Sequence, residues 1–437
     1  MHYRLWYAAA VAAGLAGAAG IVRAAGSGEP SGAPAAVPAA GPSAAHIRDL
    51  DIEFYRARVA RDPRSARDFT QLAGLYLQRA RETADNEDLG RAEATARRSL
   101  ALRVGRNDAA FGVLASSLLA QHRFAEALAV GRRLLDADST SVPARGLVAE
   151  TALELGRYDE ADRLFGTLAT YRGDLGVAPR LARWHELHGR PEEARRLLRQ
   201  ARDEAEHRHG MPREQVAWFH LRLGDLALRA GHLDEAEREL EAGLGILPGD
   251  YRLLGTLARL HADEHDWRRA ADEGELAVAR ALDPATLGLL HDAYTALGDT
   301  ATAGEYYRAM ALAVLRQPGP FHRAWSLFLL DHDREIPRVL AKVEDELHTR
   351  RDIYGYDLLA WALHKSGRDA EARGPMRRAL ALGTRDAMLY YHAGMIDRAL
   401  GDTASARARL STALAINPYW HPSQPAVARA VLDSLSR

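Results

Sequence analysis

Apolar residues in this chain recur with helical spacing, and the pattern itself repeats at intervals close to 34 residues. The clearest copies lie within 354–418, where Gly367 and Ala372 are followed 34 positions later by Gly401 and Ala406. A fixed period of this length is typical of a helical solenoid in which each unit is one pair of helices. The pattern therefore predicts an all-α fold built from many small units.

One small residue marks the start of the second helix in each predicted unit. Successive positions are 33 to 36 residues apart, with one step of 42 between Ala194 and Ala236. We assign that longer step to a long helix near 190–207 and a loop at 209–212. Small side chains there allow the two helices of a unit to approach closely. The ten positions are Ala92, Ala127, Ala161, Ala194, Ala236, Ala270, Ala303, Val339 (the exception in size), Ala372 and Ala406.

Glycine recurs where the first helix of a unit must end and turn. Helices commonly end in one residue with a left-handed backbone, and glycine adopts that conformation at little cost. The sequence therefore predicts such a turn in six units. The glycines are Gly156, Gly189, Gly231, Gly298, Gly367 and Gly401.

The two ends of the array carry their own apolar stripes. Near Ala45 a first helix is expected to pack through Leu50, Phe54 and Ala57. At the other end, 425–435 predicts a capping helix over the last unit, with an apolar face formed by Val427, Val431 and Leu432. Each unit exposes an apolar face that only the next unit can cover, so stability is expected to be a sum of neighbour interfaces.

The first 44 residues have a different composition. The segment from Leu5 to Val22 is uncharged and rich in Ala and Gly, which indicates a cleaved secretory signal within 1–24. The alternative is a membrane anchor, with residues 5–22 as the tether, because that length is just enough to span a bilayer. Residues 25–44 form an Ala/Pro/Gly-rich flexible linker, and 45–437 form the repeat domain. The protein is therefore expected to be exported, either periplasmic or extracellular.

The charge and the cysteine content exclude several kinds of partner and site. The formal net charge is −1 and the arginines are interleaved with Asp and Glu, so no nucleic-acid partner is predicted. The chain contains no cysteine, which excludes disulfides, thiolate metal sites and cysteine nucleophiles.

Short motifs with catalytic spacing occur in the wrong context. The acidic run at 136–140 lacks the preceding strand that a phosphoryl-transfer nucleophile needs, and His261 and His265 have no evident third ligand. His185 and His188 are one residue too close for a zinc-protease motif. Neither a phosphate-binding loop nor a nucleophile elbow is present. We predict no catalytic activity, no metal site and no cofactor.

The small and large positions over 64–418, with units closing at Leu247-Pro248 and Asn417-Pro418, resemble the tetratricopeptide repeat. The resemblance covers about ten units, although several first helices lack the tryptophan characteristic of the family. It implies a right-handed superhelical solenoid of antiparallel helix pairs, in which the first helices line a concave surface.

That resemblance places a partner surface on the first helices. Aromatic and methionine side chains backed by a few charges suit a protein or peptide groove. The alternative, that the rings pack against the adjacent helix, stays open. The predicted partner-binding residues are Phe328, Asp331, Tyr354, Asp357, Trp361, His364, Tyr391, Met395 and Arg398. In the middle units the inward residues are Arg183, Glu186, Trp218, Asp225, Arg259 and Asp292.

The hypothesis that follows is a non-catalytic protein–protein interaction scaffold, which binds a peptide or protein partner along the concave face. One alternative is a small-ligand or enzymatic role inside the superhelix, using His364, Asp331, Asp357 and Arg398. The other is an oligomeric assembly or docking subunit. The family's Lys/Asn clamp for a C-terminal carboxylate is not found at the inward positions, so recognition of that kind is not expected.

Overall fold

The computed structural model describes residues 44–316 and 323–435, apart from the side chain of Arg316. These residues form 22 α-helices and one short 3-10 turn at Ala169–Tyr171. The first eleven helices are α1 Ala44–Arg61, α2 Ala66–Thr83, α3 Asn86–Leu102, α4 Asp108–Ala120, α5 Phe124–Ala137, α6 Val142–Glu154, α7 Tyr158–Leu168, α8 Ala178–Leu187, α9 Pro191–His207, α10 Arg213–Arg229 and α11 Leu233–Ile246. The others are α12 Tyr251–Asp263, α13 Trp267–Val278, α14 Pro284–Ala296, α15 Thr300–Arg316, α16 Arg323–Asp331, α17 Ile336–Glu346, α18 Ile353–Lys365, α19 Asp369–Ala379, α20 Ala387–Ala399, α21 Thr403–Ile416 and α22 Gln424–Leu435.

Helices α2 to α21 pack as ten consecutive pairs, each an even-numbered first helix against the odd-numbered second helix that follows it. This confirms the predicted all-α array of helix pairs. The long second helix expected near 190–207 is α9. Helix α22 packs on α21, as a capping helix should, through the buried side chains of Ala428 and Val431. Val427, expected on that packing face, is 40% exposed.

The small-residue positions hold the pairs together. All ten, including Val339, are at most 2% exposed. In α17 the larger Val339 is buried as completely as the alanines of the other units. The register read from the sequence is therefore confirmed along the whole array.

Each unit turns from its first to its second helix through one residue with a left-handed backbone. The six predicted glycines have φ between 69° and 85°. The other four units use Ala84, His122, His265 and Asp333, with φ between 53° and 65°. The turn geometry is thus shared by all ten units, although only six of them signal it with glycine.

Helix α1 packs through a different face from the one predicted. Leu50 and Phe54 are 51% and 55% exposed. Instead, Ile52, Tyr55 and Val59 join the apolar cluster on α2. The prediction was wrong because α1 has a second apolar stripe, and only one stripe has a neighbouring helix to cover it.

Units five apart in the chain also contact one another. The amide of Arg351 donates to the carbonyl of Leu155 (3.4 Å), and Asn417 Nδ2 donates to the carbonyl of Leu228 (3.0 Å). Between these two contacts, the Thr384 hydroxyl donates to the carbonyl of Leu187. The first helices of three successive units, α6, α8 and α10, thus have terminal carbonyls satisfied by loops 189 to 197 residues later. Stability is therefore not a sum of neighbour interfaces alone.

The expected signal or anchor at 1–24 lies outside the described residues, as does the linker apart from Ala44, which begins α1. Within the described ranges, none of the helices has the length and apolar character needed to cross a membrane.

Candidate binding groove

Four neighbouring cavities of about 330 to 830 Å³ lie along the first helices. The two formed by α6, α8 and α10 share Glu150, Arg180 and Trp218. The two towards the C-terminus share Arg229 and Asp386. Arg229 lines three of the four. We call this set of cavities the inner groove.

A network of charges forms the middle of the inner groove. Glu186 lies 3.0 Å from the guanidinium of Arg183 and 3.3 Å from that of Arg229. Arg222 pairs with both Glu186 and Asp225, at 3.3 and 2.9 Å. Burial acts to raise the pKa of Glu186, but the surrounding guanidinium groups outweigh it and lower that pKa to about 2. Glu186 is therefore ionised at neutral pH and holds several arginines in place.

Trp218 is the half-buried aromatic residue at the junction of two of these cavities. Its ring packs edge-on against Phe219 at a centroid separation of 5.3 Å. Beside it, Arg180 Nε donates to Glu150 Oε2 at 2.8 Å. An apolar surface flanked by fixed charges can hold an amphipathic side chain of a partner.

Carboxylates from three units meet in the C-terminal cavity, which has a volume of about 330 Å³ and is lined by Asp263, Asp292 and Asp331. Asp263 is 3% exposed, and its Oδ2 has no hydrogen-bond partner among the described residues. Arg259 Nε lies 3.8 Å away. Burial raises the pKa of Asp263 to about 7.

Histidines face the same cavity. His332 Nε2 lies 2.8 Å from Asp292 Oδ1. Burial acts to lower the pKa of His332, but Asp292 outweighs it and the net shift is upward. His421 lies 4.0 Å from Asp331, and burial lowers the pKa of His421. The cavity therefore combines hydrogen-bond donors, acceptors and titratable groups.

Three predicted partner-binding residues line the inner groove: Phe328, Asp331 and Tyr354. Phe328 is 8% exposed. Two guanidinium groups lie over the Tyr354 ring, with that of Arg183 5.6 Å and that of Arg323 4.8 Å from the ring centroid. These three side chains therefore line cavities of the inner groove.

Asp357, Trp361 and Tyr391 are packed inside the array. Asp357 is fully buried and accepts from Arg323 (3.0 Å) and His392 (2.7 Å). Trp361 is 4% exposed, stacks on His392 at 4.1 Å, and donates from Nε1 to Asp331 (3.0 Å). The expected exposed aromatic surface is therefore corrected: these rings pack against adjacent helices, which was the open alternative.

The last three predicted residues lie apart from the groove cavities. His364 pairs with Asp369 across the turn of its own unit, at 2.5 Å. Met395 is half-buried and Arg398 is exposed. A partner-binding role for the nine residues stays a prediction.

Sequence reasoning missed several groove residues. Among the inward residues assigned to the middle units, Arg183, Glu186, Trp218, Arg259 and Asp292 line cavities. Three of the missed residues share a signal, because each lies two positions before the left-handed turn residue of its unit. They are Glu154, Arg229 and Asp263, and Asp331 occupies the same position. In the unit of Asp263 the turn residue is His265 rather than glycine, which hid the alignment of Asp263 with the other two.

A family model described as tetratricopeptide repeat matches residues 118–183. This segment of the chain therefore consists of tetratricopeptide repeats. The matched segment runs from the end of α4 into α8, and the same helix pairing continues on both sides of it. The array of about ten tetratricopeptide units is thus confirmed.

Several solved structures are similar to this chain. One is an APC/C hetero-tetramer of Cut9 and Hcn1, at 13% identity, with 90% of this chain and 94% of that chain covered and a TM-score of 0.35. A second is a tetratricopeptide repeat protein from Parabacteroides merdae, at 16% identity, with 60% of this chain and 99% of that chain covered and a TM-score of 0.35. A third is Naa15/Naa10 bound to HypK, at 14% identity, with 90% of this chain and 66% of that chain covered and a TM-score of 0.29. At these TM-scores the similarities carry no argument about partners. No curated protein matches the sequence.

Proposed function

We propose that this tetratricopeptide-repeat protein is a non-catalytic interaction scaffold, and that the inner groove holds an extended peptide segment of a partner protein. The observation that carries the proposal is the run of neighbouring cavities along the first helices, with Trp218 half-buried between fixed charges. A partner segment could lie across several units at once, because neighbouring cavities share lining residues.

The charges of the groove favour a partner segment of mixed charge. Arginine and carboxylate alternate along it, as in the pairs Arg180–Glu150 and Arg222–Asp225 at 2.8 and 2.9 Å. Such pairs offer donors and acceptors to a peptide backbone without leaving an unpaired buried charge. Trp218 supplies the apolar anchor, since tryptophan and arginine dominate the binding energy of most interfaces.

The predicted C-terminal residues then divide into two roles. Phe328, Asp331 and Tyr354 line the groove and would contact the peptide. Asp357, Trp361 and Tyr391 would position those residues by packing behind them. An exported location for the protein remains part of this proposal, on the basis of the composition of residues 1–44.

A peptide selection tests the proposal. We expect a random peptide library, panned on the full-length chain, to enrich peptides that carry both charges and an apolar residue. Trp218→Ala should weaken their binding at least about tenfold, since removal of a central aromatic anchor costs more than about 1.4 kcal/mol. Fluorescence anisotropy with the enriched peptides measures the dissociation constants.

The matched control is Leu276→Ala, at an apolar residue of second helix α13 that is 59% exposed. The proposal predicts unchanged peptide affinity for this variant. Equal affinity of the wild type and Trp218→Ala, or a loss caused by Leu276→Ala alone, would place the binding surface outside the inner groove.

A further inference from the structure

Three side chains that can ligate metal converge at the edge of the C-terminal cavity. His291 and Asp292 are adjacent on α14, and His332 directly follows α16. One ligand atom from each lies within 4.8 Å of the other two. The cluster therefore joins two neighbouring units through residues 40 positions apart in the chain.

Backbone carbonyls orient both imidazole rings. His291 Nδ1 lies 2.9 Å from the carbonyl of Ala303, and His332 Nδ1 lies 2.8 Å from that of Phe328. A carbonyl oxygen only accepts, so each Nδ1 carries the hydrogen and each Nε2 is the nitrogen left to bind a metal. Metal-binding histidines are typically held in this way by a hydrogen bond from their other ring nitrogen.

We propose that His291, Asp292 and His332 bind one divalent transition-metal ion, with Zn²⁺ as the representative case. Two imidazoles and one carboxylate are ligands that Zn²⁺ favours, and a three-residue set leaves a fourth position for water or an added ligand. Asp292 and His332 also line the C-terminal cavity beside Asp331. The open position therefore faces the inner groove.

Between Asp292 and His332 the ion fits with little movement. Two bonds of about 2 Å in a tetrahedral arrangement separate the ligand atoms by about 3.3 Å. The 2.8 Å between His332 Nε2 and Asp292 Oδ1 would therefore widen by about 0.5 Å. The side chains of Asp292 and His332 are 34% and 29% exposed, so an ion can reach them from solvent.

The competing arrangement is an ion pair between His332 and Asp292 without metal, and a titration separates the two. We expect isothermal titration of the metal-stripped full-length chain with ZnCl₂ to show one Zn²⁺ per chain. MgCl₂ should give no binding, because Mg²⁺ prefers an all-oxygen site. His291→Gln and Asp292→Asn, which keep side-chain size, should each weaken Zn²⁺ binding more than about 100-fold, because even outer-shell changes cost 10- to 100-fold.

His207→Gln is the control, since His207 is an exposed histidine on α9 and should leave the Zn²⁺ affinity unchanged. Far-UV circular dichroism of each variant confirms folding, and Zn²⁺ should raise the melting temperature of the wild type and of His207→Gln only. If the wild type does not bind one Zn²⁺ per chain, or if His291→Gln and Asp292→Asn bind Zn²⁺ as tightly as the wild type, the cluster holds an ion pair only. Either result would overturn the metal site without contradicting the proposed peptide binding at Trp218.

Discussion

At the scale of single residues, Asp263 shows the cost of lining the inner groove. Its side chain is buried beside Arg259 at 3.8 Å, too far for a hydrogen bond, and one carboxylate oxygen has no hydrogen-bond partner in the part of the chain that the structure describes. Burial raises its pKa from 3.8 to about 7. Nothing in the hydrophobic pattern marks the residue, because a charged position at a helix end is usually solvated.

Asp263→Asn should stabilise the protein at alkaline pH. The folded-state pKa lies above the unfolded value, so the folded state holds its proton more tightly. The stability that this provides is lost as pH rises from 3.8 to about 7. We expect the substitution to add about 2–4 kcal/mol to the free energy of unfolding at pH 8 and little at pH 4.

Urea unfolding at the two pH values measures this effect. Asp272→Asn, at an exposed position on α13, is the control and should have no such pH dependence. If Asp263→Asn increased the free energy of unfolding equally at pH 4 and pH 8, the raised pKa of the buried Asp263 carboxyl would be contradicted.

At the scale of helices, features that recur in every unit could be predicted from the sequence. The packing face of the first helix, which does not recur, could not. The small residue at each second-helix start and the glycine turns recur in unit after unit, so their packing role could be read from spacing. Helix α1 has no copy in the array. Its two apolar stripes, one with Phe54 and one with Ile52, are equivalent in the pattern, and only the structure shows that Ile52 packs on α2.

Ala372→Arg tests the register of the last pairs. Ala372 is fully buried between α18 and α19, and a long charged side chain cannot be accommodated there without separating the helices. We expect a loss of more than about 3 kcal/mol in the free energy of unfolding. Thermal melting followed by circular dichroism is the measurement.

The same substitution two residues earlier, Ala370→Arg, provides the control, because Ala370 is exposed on α19. It should change stability by no more than about 0.5 kcal/mol. If Ala372→Arg melts like Ala370→Arg, the proposed register is wrong.

At the scale of the whole molecule, contacts between units five apart could not be predicted. They depend on small rotations that accumulate from unit to unit, and no sequence period records that sum. The sequence also identified inward positions within a unit but not which of them the next unit covers. Trp361 and Trp218 were both assigned inward, yet one is packed and the other lines a cavity.

Two glycine substitutions isolate the contribution of these distant contacts. Gly189 and Gly367 have nearly the same backbone, with φ of 69° and 74°. A Cβ at Gly367 meets open space, whereas a Cβ at Gly189 collides with the carbonyl oxygen of Gly383. Gly367→Ala should cost about 1 kcal/mol for its left-handed backbone alone.

Gly189→Ala should cost at least about 2 kcal/mol more, because the loop at 383–384 must move away. Urea unfolding of both variants measures the difference. Equal losses would mean that contacts between units five apart contribute nothing to stability.

The central claim is that the inner groove binds the partner and that the aromatic cluster behind it is structural. Dissociation constants for one enriched peptide, measured together with melting temperatures for Trp218→Ala and Trp361→Ala, test this claim most directly. We predict that Trp218→Ala weakens binding at least about tenfold with little change in melting. Trp361→Ala should lower the melting temperature strongly, because truncating a buried tryptophan costs about 3–5 kcal/mol. Strong melting loss for Trp218→Ala with intact peptide affinity would contradict the account.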